Sequence, residues 1–227
     1  MRELGYVAVA LVAAVSSPAA AQSPRELLVS AAFSARDKPT ALARIDAALK
    51  GADAELARNP KNREAQLQRA VAIGYRGKLK RSRADVLAAR RAFEALVAAN
   101  PRDAEAQMAL AGWHLGAVIE LGPLVARTAL GARKSHGLQA LDRAVALGGG
   151  RAFFPGYASL NRILLDPGDI GRARALAEAA VKGRATASID RVMQRQASAL
   201  LQALRGGNGK SAARAAKGLL PFGRLPN

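Results

Sequence analysis

The chain contains no cysteine in its 227 residues, so neither disulfides nor thiolate metal sites can hold it and packing alone must do so. A chain of this length can bury enough surface for that. Aromatic residues make up only 4% and do not alternate with the basic ones. That removes the stacking platforms single-stranded nucleic acid needs, and no nucleic-acid partner is expected. Histidine occurs twice, as His114 and His136, with no H-x-x-x-H or carboxylate spacing to join the pair. On that pattern no metal site, cofactor or catalytic residue is assigned. Runs of alternating β-branched residues are missing, which argues against strands. Past the N-terminus no window of about 18 residues is continuously apolar and uncharged, so no membrane-spanning helix is expected there.

What is present is alanine. Half of the chain is hydrophobic, much of it alanine, as in folds whose helices approach through small side chains; the reading is all-α. The N-terminus carries Arg2, an apolar stretch from Tyr6 to Val15, and Ser16-Ser17-Pro18-Ala19-Ala20-Ala21. That order resembles a secretory signal peptide over 1–21 with cleavage after Ala21, and it predicts a periplasmic or secreted protein. Residues 22–205 then form the helical domain, and 206–227 a basic C-terminal tail with a short helix over Ser211 to Lys217.

The chain nearly repeats itself. Asn59-Pro60-Lys61-Asn62-Arg63-Glu64-Ala65-Gln66 returns 41 residues later as Asn100-Pro101-Arg102-Asp103-Ala104-Glu105-Ala106-Gln107. Each copy opens a run with helical apolar spacing, which predicts stacked helical hairpins. Asn followed by Pro reads as an N-cap with proline at the first helical position. Pro24 and Pro39 are further helix starts, and Ala41 to Ala57 reads as one long helix. Ser82 with Asp85 opens another, with Val86, Ala89, Phe93, Leu96 and Val97 on one face. Gly122 ends the helix that contains Trp113, and Pro123 starts the next, which breaks near Gly131 or His136-Gly137. Ile189 to Leu204 is an amphipathic helix suited to capping a stack.

Ala89, Phe93 and Pro101, four and then eight residues apart, resemble the closing half of a tetratricopeptide repeat. Gly168-Asp169 followed by Ala173, Ala177 and Ala180 resembles that family's turn into a second helix and its small packing positions. The resemblance implies a right-handed stack of antiparallel hairpins, an α-solenoid of about nine to eleven helices. It also implies a concave surface, lined by the first helix of each hairpin, that binds a protein or peptide partner. The 41-residue spacing exceeds the family's 34. The surplus is expected to form a longer exposed turn from Tyr75 to Arg81.

Charge gives the second signal: 35 basic residues against 17 acidic ones leave a net +18. Arg76 to Arg91 holds seven basic residues and one acidic, and Lys182 to the end holds nine and one. The candidate partner-binding residues are Arg76, Lys78, Lys80 and Arg81, with Trp113 and His114. Gly206-Gly207-Asn208-Gly209-Lys210-Ser211 ends like a phosphate-binding loop, but Leu204 occupies the required first glycine and no strand precedes it. Gly148-Gly149-Gly150 reads as a helix end and turn. Two functions follow as expectations. One is an exported, non-catalytic scaffold for a protein or peptide in the cell envelope. The other is a basic protein drawn to anionic lipid or polymer surfaces, whose binding would collapse at high salt.

Overall fold

The computed structural model describes residues 22–225; the expected signal peptide, 1–21, lies outside them. Eleven helices follow one another: α1 Pro24–Phe33, α2 Lys38–Arg58, α3 Arg63–Lys80, α4 Arg83–Ala99, α5 Ala104–Leu121, α6 Pro123–Val125, α7 Lys134–Leu147, α8 Phe153–Leu165, α9 Ile170–Lys182, α10 Ser188–Leu204 and α11 Gly209–Leu219. A π-helical turn, Ala126–Leu130, joins α6 to α7. The only β-type pairing among the described residues is an isolated bridge between Arg151 and Arg184.

The twin Asn-Pro seams are helix ends rather than helix starts. Asn59 and Asn100 close α2 and α4, and each side chain accepts the amide two residues on, Lys61 and Arg102, at 3.1 Å. The caps sit three residues later: Asn62 accepts from Ala65, and Asp103 accepts from Glu105 and Ala106. An Asx turn satisfies asparagine as well as a cap does, and Pro60 and Pro101 lie in that turn. Pro101 is exposed and takes no part in packing, although its carbonyl accepts the Gln107 amide at 3.0 Å.

Tyr75 to Arg81 is likewise not a loop. Helix α3 runs through to Lys80, and Arg81 alone turns the chain, in the left-handed region at φ 54°. The long repeat spacing therefore lies in long helices. Gly77 is buried where α3 meets α4; a Cβ there would stand 2.9 Å from both the Asp85 Cβ and the Val86 amide nitrogen. Glycine is needed for that close approach.

Contacts divide the helices into two layers. Helices α1, α3, α5, α8 and α10 touch in sequence, and α10 returns to α1, so five helices close a circuit. Helices α2, α4, α7 and α9 each bridge two members of the circuit. Small residues make the seams: Ala89, Ala173, Ala177 and Ala180 are fully buried, with Phe93 nearly so. The largest apolar cluster joins Leu160, Ile163, Met193, Leu200 and Leu204 to α9 and α11. Gly168 is exposed in the turn before α9, where its amide meets Asp166 at 2.8 Å.

The C-terminal residues are part of the fold. Helix α11, longer than the expected Ser211 to Lys217 and capped by Asn208, packs on α8 and α10. The chain then crosses to the other side of the circuit. The Phe222 amide donates to the Ala32 carbonyl at 2.8 Å, and its ring meets Tyr75 edge-on at 4.9 Å. The first and last hairpins are thus tied together.

Candidate functional site

The N-terminal turns of the five circuit helices converge on one ion-pair network. Arg25 holds Glu64 through two bonds of 2.7 and 2.8 Å and reaches Glu105 at 2.6 Å. Glu105 also accepts from Arg151 at 2.7 Å, and Arg151 passes on to Asp190 at 3.2 Å. Arg63 pairs with Asp103 in the same group. Carboxylates in first turns lie at the positive ends of helix dipoles, and guanidinium forks link one turn to the next. Burial opposes the charge on Glu105, but the Arg25 and Arg151 bonds outweigh it and hold the carboxyl below its usual range. Three guanidinium groups, Arg25, Arg63 and Arg151, thus link four carboxylates, Glu64, Asp103, Glu105 and Asp190, and the network ties the circuit together at this end.

The opposite end, where the circuit helices finish, is different. Helix α5 stops because Gly122 adopts φ 78°, a conformation that side-chain-bearing residues avoid, and Pro123 restarts the chain as α6. Ala126 and Ala132 are fully buried and cluster with Val118, which fixes the turn's inner side. Its outer side is apolar: Leu121, Leu124 and Val125 are 44%, 73% and 50% exposed. They are three of the four large hydrophobic residues exposed among the described residues. Arg83 donates to the Ala129 carbonyl at 3.1 Å and Arg90 to that of Leu130 at 3.0 Å, so helix α4 braces the turn.

Trp113 and His114 stand behind this knuckle. The indole donates to the Val86 carbonyl at 2.8 Å, and the Arg90 guanidinium lies 5.4 Å from its ring centre. His114 is buried and accepts the Arg133 amide at Nδ1. The two histidines, read from their spacing as unrelated, in fact meet edge-on at 5.7 Å, because the Gly131–Arg133 bend folds α7 back onto α5. No group of three metal-ligating side chains forms among the described residues. Burial lowers the His114 pKa to about 4, helped by Arg90, His136 and Arg133 and opposed by Glu94.

A depressed histidine pKa stabilises the fold only while the unfolded chain is also neutral. Stability is expected to fall by about 2 kcal/mol between pH 7.5 and 5 and to level off below the folded value. Urea titrations of the parent and of His114→Gln check this; the variant should lose most of that slope.

The predicted binding residues divide in two. Arg76 is held by Asp85 through bonds of 2.8 and 2.9 Å, and Lys78 forms an exposed pair with Glu120 at 3.0 Å, so both cations already have an acidic partner. Lys80 and Arg81 are exposed and form no ion pair among the described residues. Lys78, through Glu120, places them beside the knuckle. Leu121, Leu124 and Val125 carry one signal in the sequence, a hydrophobic run interrupted by Gly122-Pro123, which does not tell which of them face outward. No protein-family model matches the chain, and no curated protein or solved structure matches it either. What the fold defines is an all-helical protein of hairpins packed in chain order.

Proposed function

We propose that the chain is an exported, non-catalytic helical-repeat protein of the tetratricopeptide-like class, a right-handed stack of hairpins that docks on an anionic partner in the cell envelope. The 41-residue sequence repeat, the hairpins packed in order and the buried alanine seams support the class. The signal-like residues 1–21 support export. The observation that carries the function is the concentration of exposed apolar side chains in the 121–125 knuckle, next to a basic edge. Contiguous apolar exposure rimmed by charge marks contact surfaces. Catalysis finds no support in the histidine pair, since His114 is buried and its Nδ1 is already committed to Arg133. Photo-cross-linking in cells from a benzoylphenylalanine placed at Leu124 tests the docking surface.

A further inference from the structure

Resting on that docking reading, we infer that the knuckle and its flanking cations form a membrane-docking edge for anionic phospholipid, with Leu121, Leu124 and Val125 seated at the boundary between headgroups and acyl chains. Three features carry this. The first is charge. Lys80, Arg81, Arg83, Arg127 and Arg133 are exposed at this end and form no ion pair among the described residues. The nearby acids are already taken, Asp85 by Arg76 and Glu120 by Lys78. Uncompensated cations next to an apolar tip are the pattern that anionic leaflets attract.

The second feature is the backbone of the tip. A segment entering a low-dielectric boundary must not bring unpaired carbonyls with it. The Leu124 carbonyl accepts the Thr128 hydroxyl at 3.1 Å, and the Ala129 and Leu130 carbonyls accept from Arg83 and Arg90. The Gly122 carbonyl accepts the Ala126 amide at 3.0 Å, and that of Ala126 accepts Ala132 at 3.0 Å. The knuckle therefore exposes side chains while keeping these carbonyls bonded.

The third is size. A stable protein interface covers about 800 Å² per partner around a packed apolar core. Three side chains on one projecting turn fall well short of such a core. Shallow insertion reinforced by charge needs only a few apolar residues.

The test is co-sedimentation of the full chain with phosphatidylcholine vesicles, plain or containing about one-third phosphatidylglycerol. Every variant keeps residues 1–21, so any contribution of the apolar stretch 6–15 cancels in the comparison. The chain is expected to bind the anionic vesicles and to release as salt rises. Leu124→Asp should weaken binding at least about tenfold while the salt dependence persists. Lys80→Gln with Arg127→Gln should weaken it about twentyfold and flatten the salt dependence. Arg191→Gln with Arg195→Gln changes net charge equally on α10 and should alter binding less than about twofold.

Equal loss from both double variants, or no loss from Leu124→Asp, overturns the proposal, since net charge alone would then explain attachment. All these sites are exposed, and unchanged urea midpoints would show that the variants fold. If the vesicles fail while cross-links from position 124 reach a protein, the lipid proposal falls and the docking reading stands. If neither gives a signal, both fall.

Discussion

Replacing Asp190 with alanine is expected to destabilise the fold by about 3–5 kcal/mol, the cost of stripping partners from a buried charge-bonded group. The carboxylate is fully buried and accepts from the Ala187 amide at 2.9 Å, the Phe153 amide and the Thr186 hydroxyl at 3.1 Å, and Arg151. Alanine would leave two backbone donors unpaired at the starts of α8 and α10, and would loosen the cation that ties Glu105 into the network. Asp190→Asn keeps an acceptor and should cost less. Adding Arg151→Gln to Asp190→Ala should recover part of the loss, because the stranded cation is then removed. Urea unfolding of the four proteins measures all of this. A loss below about 1 kcal/mol for Asp190→Ala would mean that the network does not hold the circuit closed.

Phe222 should rank next, and its variants should follow an unusual order. The ring is buried against Tyr75 and the α1–α2 cluster, so Phe222→Ala is expected to cost about 3–4 kcal/mol. Its backbone sits at φ 64°, a conformation that costs a bulky residue roughly 1–2 kcal/mol and that glycine adopts freely. Phe222→Gly loses the same ring but relieves that strain, so it should be no worse than Phe222→Ala. Thermal unfolding compares the two. If glycine is the more damaging, the strain is absent and the segment's path across the circuit is looser than described.

Local chemistry made several of these elements legible in the sequence. The long α2, the Ser82 cap, the arrest of α5 at Gly122 and the buried face of Ala89 and Phe93 each depend on residues within a turn or two of one another. The seam at Asn59-Pro60 misled by three residues because asparagine serves equally in an Asx turn and as a cap. Gly77 read as a loop signal because a close helix crossing and a turn both call for glycine.

Closure of the circuit was out of reach. Arg25, Glu105 and Asp190 each look like solvated first-turn charges and Arg151 like a loop charge before α8, and nothing local says that they meet. First-turn acids do not single out the circuit either, since α4, outside it, carries Asp85 in its first turn as α3, α5 and α10 carry Glu64, Glu105 and Asp190. The knuckle was equally hidden. Leu124 follows the break at Gly122-Pro123, where the helical period of α5 no longer carries over, so its exposure and the burial of Ala126 do not follow from the pattern before the break.

The measurement that bears most directly on the whole account is in-cell photo-cross-linking from two positions of the full chain, Leu124 in the knuckle and Glu178 on the exposed face of α9. Adducts are expected from position 124, reduced by Lys80→Gln with Arg127→Gln, and none above background from position 178. Adducts from position 178 with none from position 124 would overturn the docking assignment and would move the contact surface to α9.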